Sequence, residues 1–427
     1  MNYWLLALTL FSPAVAWGAD ETINMANTAW MLTSTALVLF MTLPGLALFY
    51  GGIVRTKNVL SIFMQCFAIT CLVSVLWFAF VYSLAFGDGG LYQNWIGGLE
   101  KSFLQGVGVD SISNGIPETV FSAFQMTFAI ITPALVVGGF AERIKFSAVL
   151  WFATFWLILV YAPLCHWVWG GGWLAKMGFM DFAGGAVVHI NAGMAALVSA
   201  LLLGKRRGFP HTLMMPHNMT MVFTGAAMLW VGWFGFNAGS ALAANGAAGM
   251  ALLSTHMAAA AGSLAWMAME WLHHGKPSLL GIVTGMVAGL GTVTPASGYI
   301  TPVGALIIGL LAGFVCYHAT QFVKRKLHID DSLDVSPVHG VGGIVGTLLT
   351  GLLAAPALGG LGFSTAAGIA SQLWVQTIGV AATMLWSGAL TYLILKGVDA
   401  VIGLRVSSEE ETEGLDLVFH DEKGYNL

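Results

Sequence analysis

Two histidines stand inside apolar, glycine-rich runs where an ionisable side chain is costly. His189 ends the segment Asp181-Phe-Ala-Gly-Gly-Ala-Val-Val188-His189, and His339 ends Asp331-Ser-Leu-Asp-Val-Ser-Pro-Val338-His339. In both, an aspartate precedes a Val-His pair by the same eight-residue interval, and glycines follow. A neutral imidazole offers one donor and one acceptor, so two adjacent rings can share a proton and still hold a small polar guest. Ionisable groups within apolar spans usually face a cavity or one another. The matched interval therefore points to a histidine pair on a central axis, in surroundings that penalise a charged guest and favour a neutral one.

Aromatic residues supply a second kind of chemistry. Phe124 and Phe128 are four residues apart and share a helix face. Trp169 opens a Trp-Gly-Gly-Gly turn, and Phe236 lies within Trp233-Phe-Gly-Phe-Asn-Ala-Gly-Ser240. Aromatic faces attract cations by about 2 kcal/mol or more when desolvated. A Trp/Phe cage with one hydroxyl could hold a small cation while a hydrated metal ion keeps its water. Asp181 has two readings: a charge near the mouth of a pathway, or a carboxylate capping backbone N–H groups at a helix start.

These side chains need a scaffold, and composition says which. The chain has 427 residues, 57% hydrophobic and 8% charged, far below the roughly one-quarter charge of soluble domains. Apolar runs long enough to cross a hydrocarbon layer of about 30 Å recur throughout. They fall near 27–50, 61–86, 119–140, 147–167, 185–203, 219–241, 250–271, 278–297, 302–322, 338–354 and 367–399. The expected fold is an all-α integral membrane protein of eleven transmembrane helices. The two Asp–His segments open the fifth and tenth spans, which predicts two five-helix units in inverted orientation with the pathway between them.

Basic residues fix the direction. Arg55, Lys57, Arg143, Lys145, Lys205, Arg206, Arg207, Lys276, Lys324, Arg325, Lys326, Lys396, Arg405 and Lys423 fall on one side, leaving only Lys101 and Lys176 on the other. The positive-inside rule makes the crowded side cytoplasmic, with the N-terminus outside and the C-terminus inside. Residues 1–18 read as a signal peptide ending in small residues, with an uncleaved first helix as the alternative, 19–403 as the membrane domain, and 404–427 as a cytoplasmic tail. Cys66, Cys71, Cys165 and Cys316 read as buried packing thiols, without a disulfide framework. His256 and His318 read as packing residues. His166, His211, His217, His273, His274 and His328 are expected near interfaces or loops, in contact with water.

The chain also resembles the ammonium transporter family (Amt/Mep/Rh), most closely its bacterial AmtB-type members. The resemblance rests on Pro44-Gly-Leu-Ala-Leu-Phe-Tyr-Gly-Gly52, Ala141-Glu-Arg-Ile144, Asp181-Phe-Ala-Gly-Gly185, Val188-His189-Ile-Asn191, Gly232-Trp-Phe-Gly-Phe-Asn-Ala-Gly-Ser240, Lys276-Pro-Ser278 and Val338-His339-Gly340. It implies ammonium recruitment at Phe128, Trp169 and Ser240, with Phe124 and Asp181 beside them. It also implies a gate at Phe128 and Phe236, twin pore histidines at His189 and His339, and lumen-lining Trp233 and Thr294. Ser336-Pro337 departs from the glycine-containing form of the pattern and bears on helix geometry before His339.

The implied substrate is ammonium or ammonia, with methylammonium as a candidate second. The implied assembly is a homotrimer in a bacterial inner membrane, regulated by a PII-type signalling protein at the cytoplasmic face. No enzymatic activity, cofactor, resident metal or nucleic-acid partner is expected. Two rival readings remain open on sequence: an ammonium-sensing receptor, and a membrane haem protein with His189 and His339 as axial ligands.

Overall fold

The computed structural model describes residues 22–363, 365–366 and 368–426; the expected signal peptide lies outside them. The chain is almost entirely helical. In order the long elements are α1 (Met25–Ile53), α2 (Thr56–Phe86), α3 (Glu118–Phe140), α4 (Phe146–Lys176), α5 (Gly185–Leu203) and α6 (Met219–Gly239). They continue with α7 (Gly246–His274), α8 (Leu279–Val293), α9 (Pro302–Lys326), α10 (Ser336–Leu353) and α11 (Ile369–Ile402). Two short helices, α12 (Ser408–Glu413) and α13 (Leu415–His420), follow in the tail. The described strands are a two-residue hairpin pairing Ile112–Ser113 antiparallel with Ile116–Pro117.

Among the described residues, nine helices are long and apolar enough to cross a membrane, all but α7 and α8. The 15 residues of α8 reach only about 22 Å at 1.5 Å per residue. The apolar run of α7 is diluted by Ser254, Thr255, His256 and Glu270. Eleven helices therefore occupy the anticipated positions, but nine meet the length and composition of a full span.

α1 breaks at Leu43 and Pro44, where a wide helical turn interrupts the regular bonding. Proline lacks the N–H that would continue the ladder. The 34 residues of α11 run to about 51 Å, longer than one perpendicular crossing requires. Its inner face is polar: Gln376 donates to Met180 O and Thr347 O, and Ser387 donates to Asn191 O. With no water in a bilayer, buried side chains satisfy backbone groups that bends leave free.

Several of the basic residues, among them Arg55, Arg206, Arg207 and Arg405, meet at one end of the molecule. Glu142, buried, accepts from Arg55 Nε at 3.0 Å, Arg206 Nη1 at 2.8 Å and Asn58 Nδ2 at 2.9 Å. Arg206 also grips Asp330 through its backbone N–H and guanidinium. Burial alone would raise the Glu142 carboxyl, but the two arginines outweigh it and hold it down to about 2. Asp330 is likewise held below its ordinary range, against the cost of burial, by Arg206. Removing one partner from such a buried network typically costs about 3–5 kcal/mol, because a desolvated charge is left alone.

The tail docks on this basic face. Ile144 and Arg405 form a β-bridge, and Glu411 accepts from Arg207 N at 2.7 Å and Arg405 Nη2 at 2.9 Å. Asp416 accepts from Ser61 N at 2.7 Å and Leu60 N at 3.1 Å, capping the first turns of α2. An anion at a helix N-terminus is favoured by the unpaired N–H groups there.

Several expectations need correction. His166 is not solvated. It is fully buried, with Nδ1 2.9 Å from Ala85 O and Nε2 2.8 Å from Gln93 O. His217 is half-buried, tied to Val54 O and the Tyr425 hydroxyl. His256 and His318 are exposed on helix flanks, although each lies against aromatic rings. Cys71 is exposed on the flank of α2, while the other three thiols are buried.

Candidate functional site

α5 starts at the face opposite the basic one, called here the aromatic face, and α10 starts at the basic face. Each opens with a wide turn capped by its aspartate. Asp181 accepts four backbone N–H groups, from Gly184, Gly185, Ala186 and Val187, at 2.6–3.3 Å. Asp331 accepts from Ser336 N at 2.6 Å and Ser336 Oγ at 2.7 Å. The capping role of Asp181 is therefore met directly. Pro337 sits in the first turn of α10, where its missing N–H would be unpaired anyway. The Ser-Pro departure is accommodated without displacing His339.

The two helices touch at Gly193 and Gly340. A Cβ on Gly193 would sit 2.3 Å from the Gly340 Cα, so glycine at this crossing sets how close the backbones come. That approach brings His189 and His339 together. Their Nδ1 atoms lie 3.2 Å apart and the ring planes are inclined by 23°. One Nδ1 must carry the proton and the other accept it. At that hydrogen-bond spacing there is no gap for a haem plane, which removes the axial-ligand reading. His189 Nε2 is buried without a protein partner.

Around the pair the wall is apolar. Trp233 stacks on His189 with centroids 5.5 Å apart, and its Nε1 donates to Thr294 Oγ1 at 2.9 Å, so the indole's polar atom is satisfied away from the lumen. Phe236 stacks above His189 at 6.1 Å. Phe128 lies over Phe236 with centroids 4.2 Å apart, and Trp169 meets Phe128 edge-on at 5.7 Å. Phe124 packs against Phe128 at 4.9 Å, behind the stack. Trp169 Nε1 donates to Asp181 O. Ser240 is half-buried one turn beyond Phe236 and donates to Phe236 O, leaving lone pairs free to accept.

The residues singled out in sequence thus form a column: Trp169, Phe128, Phe236, then the histidines. A space of about 10 Å³ lies beside the histidines, walled by Phe236, Trp233, Leu46, Tyr50 and Leu229, one water at most. Beyond His339 it widens into a cavity of about 430 Å³ that opens at the basic face, lined there by Tyr50, Arg206, Met214, Lys324 and Asp334. Sequence reasoning missed Tyr50, the aliphatic lining from Leu46, Ile131 and Leu229, and Gly291. A Cβ on Gly291 would stand 3.7 Å from His339 Nδ1 and 3.9 Å from the His189 ring. Leu46 and Tyr50 lie within the Pro44–Gly52 motif, but for Ile131, Leu229 and Gly291 the sequence signal was small or apolar residues at helical spacing, which is also what ordinary packing looks like.

Fold and site together define a multi-pass membrane protein with a buried histidine pair between an aromatic stack and a cavity open at the basic face. The model of the Ammonium Transporter Family matches residues 29–425, and the chain belongs to that family. It is 47% identical to an ammonium transporter of Aquifex aeolicus, over 99% of this chain and 98% of that one. Among solved structures it resembles a Sensor Amt Protein (TM-score 0.86, 30% identity, 92% of this chain and 98% of that one). It also resembles Mep2 of Saccharomyces cerevisiae (TM-score 0.81, 34% identity, 91% and 92%).

Proposed function

We propose that this protein transports ammonium, taking NH₄⁺ from the aromatic face and passing nitrogen onward as NH₃. The observation that carries this reading is the buried, hydrogen-bonded His189–His339 pair beside an apolar space of about 10 Å³. A desolvated ion costs several kcal/mol even after relaxation, and one aromatic face returns only about 2. The cage of Trp169, Phe128 and Ser240 can therefore collect the cation, with Asp181 adding a long-range field, but the apolar lumen cannot carry it dry. Deprotonation at or below the Phe128/Phe236 gate resolves the conflict. NH₃ both donates and accepts, which suits His189 Nε2 and the imidazoles beside it. The Trp233–Thr294 hydrogen bond leaves His189 Nε2 as the unpaired polar atom beside the guest.

The clustered basic face supports an eleven-span, inverted-repeat arrangement with that face cytoplasmic, in a bacterial inner membrane. Residues 1–18 would be removed on export. Family membership supports a homotrimer with one conduit per subunit, and methylammonium as a second substrate. The folded tail from residue 404 onward offers a surface on which a PII-type signalling protein could act.

Solid-supported-membrane currents from purified protein in liposomes test the reading. An ammonium-dependent signal above empty liposomes means the proton follows the nitrogen. Ammonium-driven internal alkalinisation without current means net NH₃ passage. Neither signal would leave a sensing role, which the same membrane fold can serve.

A further inference from the structure

The segment between α2 and α3, residues 87–117, inverts the usual arrangement of a water-facing loop. Several of its backbone carbonyls and polar atoms turn inward, although Asn94, Glu100 and Gln105 stay exposed. His166 Nε2 meets Gln93 O, Trp167 Nε1 donates to Trp95 O at 2.8 Å, and Trp173 N donates to Asn94 O at 3.0 Å. Gln93 Nε2 donates to Gly170 O. Two of its charged side chains are engaged, Glu100 accepting from Asp88 N and Lys101 pairing with Glu118, while Asp88 and Asp110 face outward. The apolar side chains point out instead. Leu91 is 99% exposed, Leu99 61% and Phe103 67%, with Tyr92 and Trp95 beside them.

One contact says what covers this surface. Phe103 lies edge-on against Phe78, with centroids 5.8 Å apart. Phe78 is itself exposed on the flank of α2, eight residues before that helix ends at Phe86. Eight residues are about 12 Å of helix. α2 has 31 residues, about 46 Å, enough to cross the hydrocarbon and both headgroup layers. Phe103 therefore reaches the level where headgroups give way to acyl chains, on the outward side of a span. Phe103 and Leu104 both take left-handed backbone angles (φ 54° and 53°), which turns the chain back at its lowest point.

We infer that residues 91–104 form a membrane anchor, a loop whose Leu91, Trp95, Leu99 and Phe103 side chains insert into the bilayer interface at the aromatic face. Aromatic and aliphatic side chains favour that zone. Because the exposed contacts are apolar, the anchor binds acyl chains and does not select headgroup charge. It fixes the loop that holds α4 beside Trp169, so lipid packing bears on the mouth of the conduit.

Nitroxide labels at Leu99→Cys, Phe103→Cys and, as a water-side control, Asn114→Cys test this in full-length protein carrying Cys71→Ser, reconstituted in liposomes. Labelled protein is first checked for unchanged gel-filtration elution. The expected result is oxygen accessibility above that of nickel-EDDA at 99 and 103, and the reverse at 114, in both phosphatidylcholine and phosphatidylglycerol vesicles. Water-like accessibility at 99 and 103 would overturn the anchor. So would spin–spin broadening there that disappears on dilution with unlabelled subunits, since a second copy would then cover the loop. Burial seen only in anionic vesicles would overturn the apolar mode of binding.

Discussion

Gly193→Ala places a methyl group where there is no room for one. Its Cβ would lie 2.3 Å from Gly340 Cα and 2.4 Å from Gly340 N, whereas non-bonded carbons settle about 3.5–4.0 Å apart. Relief by helix displacement needs roughly 1.2–1.7 Å of separation between α5 and α10. His189 lies one turn before Gly193, and His339 is adjacent to Gly340. Their Nδ1 contact, 3.2 Å in the native packing, would open beyond about 4.4 Å, past any hydrogen bond. Overpacking costs about 1–3 kcal/mol, and the lost hydrogen bond about 1 more.

The expected outcome is a lower unfolding temperature together with ammonium flux reduced on the order of tenfold or more. Gly291→Ala is the matched control, because its methyl would meet both rings at ordinary contact distance, 3.7–3.9 Å. It should narrow the lumen and lower flux while leaving the unfolding temperature unchanged. Liposome flux and detergent thermal melts on the two variants measure both quantities. Native flux and native melting in Gly193→Ala, or equal destabilisation by both, would refute the account of helix contact and ring spacing.

Phe236→Ala removes the ring between Phe128 and His189 and should destabilise the fold by about 3–5 kcal/mol. It should also admit water to the histidines, seen as ammonium-independent proton leak in pH-jump measurements. Asp181→Ala strips the cap from four N–H groups and should lower stability by roughly 1–2 kcal/mol; Asp181→Asn, which keeps one acceptor oxygen, should lie between, in thermal melts at constant pH. Glu142→Gln should cost about 3 kcal/mol at neutral pH, from a carboxyl held at about 2 against its ordinary 4.5. Its ionisation stabilises the fold above about 4.5, and that contribution fades as pH falls through 2. The difference between native and Glu142→Gln melting temperatures should therefore be flat from pH 6 to 8 and shrink below pH 4. Asp416→Ala uncaps α2 and should speed proteolysis after residue 406 without abolishing flux.

The architecture was legible because a bilayer leaves few solutions: apolar runs must be helices, and charge marks their ends. The histidine pair was legible for the same reason, since two costly groups at one repeated interval have little else to do than meet. The fate of His166 was not. Its position at a span end resembles a solvated residue, and only the packing of the last turn of α2 and the loop after it brings the Ala85 and Gln93 carbonyl oxygens to its ring. Gly291 was equally silent, since a glycine that leaves room beside a ring looks like one that lets helices close. Helices α7 and α8 show the limit of counting spans: the positions were foreseen, but length and polarity separate them from the other nine. Cys71 was misplaced because helical periodicity in so uniformly apolar a stretch does not say which flank faces outward.

The carboxylates that complete the basic face come late in the chain. Asp416 holds the opening turn of a helix made more than three hundred residues earlier, and Glu411 binds an arginine backbone about two hundred residues upstream. Those N–H groups therefore cannot meet their carboxylate until the end of the chain has been made, so a chain cut after residue 406 would keep all eleven long helices and lack the carboxylates that clasp them.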